Sequence, residues 1–189
     1  MKKLFAFALV AVFSIPLLQA QESMFDVGDG VVNLGLGIGN TLYLGGYGYS
    51  TGVPPISISY EQGILDDILE KGVIGVGGYI GYTSYKFRDT WLGSDWGWNI
   101  SNTIIGALGT FHYPLLDKLD TYAGITLGYN INTWREYGDI PGGSYSSSSS
   151  GLAASGFIGG RYYFNEKFAA FAQVGYGIAY LTFGVSIKL

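Results

Sequence analysis

The stretch that decides the fold is residues 181–189, LTFGVSIKL, at the end of the chain. Every second residue in it is large and apolar, and the residues between are small or polar. A period of two places all the large apolar side chains on one face of a β-strand. The opposite face is too small and polar to pack against a second sheet. A strand that is apolar outside and small or polar inside is typical of a barrel wall in lipid.

The same alternation recurs through the preceding sequence and predicts an all-β, eight-stranded, antiparallel up-and-down transmembrane β-barrel. The first six predicted strands cover residues 31–39, 56–64, 73–87, 98–113, 121–134 and 152–164. The last two strands are expected on either side of a tight turn near residues 176–177. The pair Ile104-Ile105 interrupts the alternation of the fourth strand and predicts a β-bulge.

The predicted connections are of two kinds. Short charged turns fall at residues 65–72, 117–120 and 165–167. The alternate connections, except for the tight last one, are longer and rich in Gly, Tyr, Ser and Trp. Outer-membrane barrels have this asymmetry, with short periplasmic turns and long external loops. The longest loop, residues 136–151, contains the run Ser146 to Ser150 and is predicted to be flexible from its composition.

The N-terminal residues predict export. Lys2-Lys3, an apolar run from Leu4 to Leu18 and the small Ala20 form the pattern of a secretory signal peptide. We therefore expect a signal peptide at residues 1–20, a periplasmic N-terminal segment at 21–30 and the barrel domain at 31–189. No peptidoglycan-binding domain is expected after Leu189.

The composition restricts the function. The chain is 48% hydrophobic and 16% aromatic but only 13% charged, and it contains no cysteine. Without cysteines, disulfide scaffolds and thiolate metal sites are excluded. Removal of residues 1–20 leaves a net charge of about −6, so nucleic-acid binding is not expected.

Aromatic residues recur at matching depths of the predicted strands. The tripeptides Ile-Gly-Tyr at 80–82, Leu-Gly-Tyr at 127–129 and Val-Gly-Tyr at 174–176 are spaced by 47 residues, one up-and-down strand pair. Such positions predict aromatic girdles at the two membrane interfaces. The predicted girdle residues are Tyr60, Tyr82, Tyr113, Tyr129, Tyr162, Phe164 and Tyr176.

Together with these strand ends, the signal peptide and the segments GTFHYP (109–114), GGRYYFN (159–165) and FGVSIKL (183–189) resemble the small outer-membrane β-barrel family. Its relatives include the transmembrane domain of outer-membrane protein A and the outer-membrane protein X type, within a porin-like superfamily. The resemblance implies a location in the outer membrane of a Gram-negative cell and insertion by the barrel-assembly machinery. It also implies contact with outer-membrane lipid and lipopolysaccharide.

The interior of an eight-stranded barrel is barely wide enough for its own side chains. Inward-facing aromatic residues are expected to fill it, namely Tyr79, Tyr122, Phe157, Phe171 and Tyr163. Glu61 and Arg161 are inward charges at similar depth, and buried charges are usually paired. We therefore expect a lumen ion pair of Glu61 and Arg161 with Lys188 nearby; the alternative is that each charge contacts water or backbone separately.

His112 is the single histidine of the chain and raises the alternative of a lipid A-modifying enzyme. Such enzymes act on the external leaflet, whereas His112 is expected near the periplasmic end, with Thr110 as its nearest inward hydroxyl. We therefore expect no catalytic residues. The acidic group Asp66, Asp67 and Glu70 lacks the spaced ligands of a calcium loop, so neither a metal nor a cofactor is expected.

Aromatic residues in or beside the external loops are candidates for recognition, since exposed aromatics often mark binding surfaces. They are Trp91, Trp96, Trp134, Tyr137 and Tyr145. The alternative is that these side chains belong to the girdle or pack on one another.

The sequence thus favours a monomeric, non-catalytic barrel with a structural or surface-interaction role, in which the loops contact an extracellular ligand. A narrow porin-like channel gated by the lumen ion pair and the lipid A-modifying enzyme are the alternatives. A soluble lipocalin-like barrel fits less well because its outer face should be polar.

Overall fold

A computed structural model of the chain describes residues 23–39, 49–89, 96–138 and 145–189. Eight antiparallel strands in these ranges pair in chain order, and β1 pairs with β8 to close the barrel. The predicted fold class is confirmed. The strands are β1 (Gly30–Ile38), β2 (Tyr49–Ile68), β3 (Gly72–Asp89), β4 (Trp96–Leu116), β5 (Leu119–Tyr137), β6 (Ser146–Tyr163), β7 (Phe168–Tyr176) and β8 (Leu181–Lys188). The predicted signal peptide and Trp91 lie outside the described residues.

Strict alternation gives the barrel two unlike surfaces. In β8, Phe183 and Val185 are 40% and 51% exposed, whereas Ser186 between two outward residues is fully buried. The outward residues of the other strands are equally apolar, among them Leu34, Ile58, Ile80, Ile105, Leu127, Leu152 and Val174. An apolar outer wall of this kind faces lipid, in agreement with the predicted location in the outer membrane. No helix in the described part of the chain could cross a membrane.

Glycines make room where the barrel closes. Gly35 of β1 pairs with Gly184 of β8, and the buried ring of Phe171 packs beside them. A Cβ on Gly184 would lie 2.9 Å from Phe171 Cε1 and would overlap the carbonyl oxygen of Leu34. The glycine therefore allows the two closing strands and a lumen aromatic ring to occupy the same level.

The strands differ in length, so the barrel wall is higher on one side. β2 to β6 have 18 to 21 residues, whereas β7, β8 and β1 have 8 or 9. β1 pairs with β2 at residues 56–62, and β7 pairs with β6 at residues 156–163. The parts of β2 to β6 above these levels form an open five-stranded sheet at the end opposite the short turns. This sheet, called the extension below, comprises residues 49–55, 82–89, 96–104, 130–137 and 146–155.

Three local predictions are wrong. Ser146–Ser150 is not a flexible loop but the start of β6, paired with residues 131–135 of β5, because backbone pairing does not depend on the side chains that suggested a loop. Residues 49–55, predicted as a loop, belong to β2, with register shifts around Pro54 and Pro55, since proline cannot donate to the ladder. The register of β4 with β3 and β5 is uninterrupted at Ile104 and Ile105; Ile104 is buried in the lumen and Ile105 faces outward.

The closing seam gives a testable prediction. We expect Gly184→Val to destabilise the barrel by about 1–3 kcal/mol or to prevent closure, because the side chain meets backbone and a packed ring. Val185→Leu, one position away on the lipid-facing surface, is the matched control and should be tolerated. Gel mobility with and without boiling reports closure; equal behaviour of both variants would contradict the assigned faces.

Candidate functional site

The lumen holds a polar cluster near the end of the barrel that carries the short turns. Six strands contribute to it, and every member is at most 5% exposed. The members are Asn33 of β1, Glu61 of β2, Thr110 and His112 of β4, Asp120 of β5, Arg161 of β6 and Ser186 of β8. We call this set the lumen cluster. It is the only place in the described residues where buried charged side chains from several strands meet.

Arg161 joins two carboxylates. Its Nη2 donates to Glu61 Oε1 and its Nη1 donates to Asp120 Oδ2 at 2.8 Å. Nη2 also donates to Asn33 Oδ1 at 3.2 Å, and the guanidinium carbon lies 5.0 Å from the ring centre of Tyr122. The structure thus brings together the two residues that the sequence paired, and adds Asp120, which the sequence analysis missed. Asp120 was assigned to a turn, whereas it pairs with Arg161 in the β5–β6 ladder.

His112 completes the charge balance of the lumen cluster. Its Nδ1 lies 2.9 Å from Asp120 Oδ1, and its Nε2 lies 3.0 Å from Glu61 Oε2. An ionised carboxylate only accepts hydrogen bonds, and both ring nitrogens donate only in the imidazolium form. With His112 in that form, two positive groups face two negative ones in a space closed to bulk solvent, the arrangement that buried charges require.

Lys188 does not belong to the lumen cluster. Its Nζ pairs with Asp29 Oδ2 at 2.6 Å and donates to the carbonyl oxygen of Met24 at 3.2 Å. Both partners precede β1, in a segment that the sequence analysis left without contacts. The end of β8 therefore anchors this N-terminal segment instead of joining the central ion pair.

Three residues of the lumen cluster are connected in the order of a catalytic triad. Thr110 Oγ1 lies 3.0 Å from His112 Nε2, and His112 Nδ1 lies 2.9 Å from Asp120 Oδ1. The same hydroxyl donates to Glu61 Oε2 at 2.7 Å, and it is 5% exposed. A nucleophile needs a position for a reacting atom beside it. Here the hydroxyl is engaged by a second carboxylate inside a closed lumen.

Residues 23–29 close the lumen below the cluster. Gly28 N donates to Gly63 O at 2.9 Å, and Gly63 N donates to Asp29 O at 3.0 Å, so the segment is bonded to β2. Phe25 inserts from it, is 1% exposed and stacks on the ring of His112 with centroids 4.0 Å apart. The predicted N-terminal segment is thus part of the barrel interior at this point.

The turn between β7 and β8 closes the lumen above the cluster. Ile178 and Ala179 are 4% and 7% exposed and pack with Ile104 of β4. Between this closure and the lumen cluster lies a cavity of about 40 Å³, lined by Glu61 and Tyr79 among others. That volume suits one or two waters, not a passing solute.

An aromatic cluster lies on the inner face of the extension. Trp98 makes edge contacts with Trp96, Trp134 and Tyr145, with ring centroids 6.0, 6.4 and 6.2 Å apart. The Glu136 carboxylate accepts hydrogen bonds from two members of the cluster. Trp96 Nε1 donates to Glu136 Oε1 at 2.7 Å, and Tyr145 N donates to Glu136 Oε2 at 3.2 Å. Trp134 is 38% exposed and Tyr145 60% exposed.

The predicted recognition residues are therefore divided between two faces. Trp96, Trp134 and Tyr145 meet, but Tyr137 lies on the opposite face of β5, where its hydroxyl donates to Phe87 O at 3.1 Å. The sequence analysis missed Trp98, the central ring, because it was assigned to a strand and not to a loop. Its spacing of two from Trp96 indicates the shared face.

The predicted girdle residues lie on the outer wall. Tyr60, Tyr129, Tyr162, Phe164 and Tyr176 are 41% to 64% exposed, and Tyr82 and Tyr113 are half-buried. Their depth relative to the lipid stays a prediction.

The fold has counterparts among solved structures. Ail, the attachment invasion locus protein of Yersinia pestis, in complex with the heparin analogue sucrose octasulfate, matches 86% of this chain and 96% of its own, with 12% identity and a TM-score of 0.50. This is the fold of the small outer-membrane barrels. The N-terminal barrel domain of Pseudomonas aeruginosa OprF matches 87% of this chain and 98% of its own, with 16% identity and a TM-score of 0.45. No protein-family model and no curated protein sequence matches the chain.

The lumen cluster predicts a large penalty for an unbalanced charge. We expect Glu61→Gln to lower the free energy of unfolding by about 3–5 kcal/mol, because Arg161 and His112 lose a buried partner. Lys188→Gln breaks a pair that is about one-fifth exposed and should cost at most about 1 kcal/mol. Urea unfolding in lipid vesicles measures both, and equal losses would show that the central pair is not effectively buried.

Proposed function

We propose that this chain is a monomeric, non-catalytic outer-membrane barrel that recognises an extracellular partner through the inner face of its extension. The observation that carries the proposal is the unequal strand length, which raises five strands and an aromatic cluster above the level where β7, β8 and β1 end. A barrel with only a structural role does not require the extension. By the usual orientation, the end opposite the short turns is extracellular.

Aromatic and polar side chains occupy paired positions of β5 and β6 on the inner face of the extension. Trp134 pairs with Ser147, and the next inward pair below is Asn132 with Ser149. The side chains of Ser147 and Ser149 are exposed, and Asn132 Oδ1 is a buried acceptor without a protein partner. Aromatic rings with a small number of placed polar groups are typical of ligand sites.

Charge selects among ligand classes. Glu136 belongs to the aromatic cluster, and no Lys or Arg lies on the inner face in the described part of the extension. A sulfated sugar such as the one bound by Ail would meet no cation here. An uncharged saccharide fits better, because its ring C–H groups can pack on Trp134 and Tyr145 while its hydroxyls reach the exposed side chains of Ser147 and Ser149.

The aromatic surface is tested with cells that display the full chain, on arrays of uncharged and sulfated glycans. Wild type should retain uncharged glycans, and Trp134→Ala with Tyr145→Ala should lower the apparent affinity at least about tenfold. Tyr137→Ala, on the other face of the same strand end, is the matched control. Retention of sulfated glycans alone, or equal binding by all variants, would contradict the proposal.

The two closures make a diffusion channel an unfavourable alternative. We expect no discrete conductance in planar bilayers for wild type or for Glu61→Gln with Arg161→Gln, because the Ile178–Ala179 turn and Phe25 still fill the lumen. A channel gated by the ion pair would instead conduct once the pair is neutralised. Steady single-channel steps in the double variant, with folding verified by heat-shifted mobility, would favour that channel.

A further inference from the structure

The outer face of the extension carries three cations at neighbouring positions. Lys86 of β3 pairs with Asn99 of β4, which pairs with Arg135 of β5. Lys86 and Arg135 therefore lie at the same level two strands apart, about 10 Å from one another. Arg88 follows two residues after Lys86 on the same face, at about 7 Å. All three side chains are exposed.

Alternation fixes the side of the sheet on which these cations lie. Thr83 and Tyr85 point into the barrel interior and are buried, so Lys86 between Tyr85 and Phe87 points outward. Arg135 likewise lies between Trp134 and Glu136, both members of the inner aromatic cluster. The cations are thus on the convex surface that continues the lipid-facing wall upward.

The height of the cations above the lipid follows from the register. The continuous apolar band of the outer wall ends on these strands at Tyr82 and Ile131, which both pair with Thr103. Lys86 and Arg135 lie four residues further along, about 14 Å along the strands and about 10 Å in height at the usual strand tilt. The polar headgroup layer extends about 5–8 Å beyond the hydrocarbon. The backbone at Lys86 and Arg135 is therefore just above this layer, and their long side chains can reach down into it.

The described neighbours of Lys86 and Arg135 on this face are neutral. Most are short, namely Ser50, Ser84, Asn99, Ser101, Thr133, Ser146 and Ser148, and Tyr137 lies beside Arg135. Among the described residues, the other exposed cations, Lys71, Lys118 and Lys167, are in the short turns at the opposite end. Positive charge in the external half is therefore confined to the surface that borders the outer leaflet.

We propose that Lys86, Arg88 and Arg135 bind the phosphate groups of the phosphorylated glycolipid that surrounds the barrel in the outer leaflet. Arginine pairs with phosphate through two parallel hydrogen bonds, and clustered basic residues beside a membrane attract anionic headgroups additively. Spacings of about 7–10 Å allow more than one phosphate to be engaged. The site is independent of the aromatic cluster on the other face of the same sheet.

The test uses the full chain refolded in detergent and purified rough-type lipopolysaccharide, with binding followed by isothermal titration calorimetry, a measurement that does not depend on the tryptophans of the aromatic cluster. Lys86→Gln with Arg135→Gln should weaken the apparent affinity about tenfold. Lys71→Gln with Lys167→Gln changes the net charge equally at the other end and should stay within twofold. The charge-preserving pair Lys86→Arg with Arg135→Lys should retain most of the affinity.

Two further arms identify the source of the phosphate. Enzymatically dephosphorylated lipopolysaccharide should bind wild type no better than intact lipid binds the double Gln variant. Soluble heparin and inorganic phosphate should fail to compete at equal charge concentration.

Three outcomes would each overturn the proposal: equal affinity of the two double Gln variants, unchanged binding after dephosphorylation, or full competition by heparin. Trp134→Ala with Tyr145→Ala should leave lipid binding unchanged. Failure of the proposed glycan recognition and failure of lipid binding can therefore be distinguished.

Discussion

The structure depends on how the two carboxylates and two cationic groups of the lumen cluster balance one another. In lipid, backbone polar groups are satisfied only when the sheet closes, and closure encloses whatever charge the inward positions carry. Arg161 lies between Glu61 and Asp120, and His112 bridges the same two carboxylates. With His112 protonated, the four groups carry no net charge. Because these side chains come from strands around the whole barrel, the cluster also couples closure at the β1–β8 seam to pairing on the opposite side.

That same balance bears on function. The stacked ring of Phe25 and the inward turn at Ile178 close the lumen on either side of the ion-paired cluster, and the space left between them is a cavity of about 40 Å³. A cavity of that size holds one or two waters and not a continuous column. We therefore propose that the interior serves stability. The parts of the molecule that remain available to other molecules are the extension and the outer wall.

Alternation was enough to predict the barrel, its strand order and the meeting of Glu61 with Arg161, because period two assigns each residue to a face. It could not give Asp120 or Phe25, since these residues lie at or beyond strand ends, where pairing and not periodicity decides the position. The prediction of a loop at Ser146–Ser150 was wrong for a related reason. Serine has a low strand propensity, but these five residues form the start of β6 because the backbone of β5 pairs with them.

The extension shows how one sheet can separate two chemistries. On its inner face, Trp98 and Glu136 organise an aromatic surface without positive charge, while Lys86 and Arg135 occupy the outer face of the same strands. In a soluble sheet both faces would contact the same solvent, so there would be no reason to place the aromatic residues and the cations on different faces. Above a membrane the convex face borders anionic headgroups and the concave face opens to the medium. A period of two along β3 and β5 therefore places the cations on the convex face and the aromatic rings on the concave face. The alternation that gives the barrel an apolar wall and a polar lumen thus continues beyond the bilayer and separates the two surfaces for which we propose different ligands.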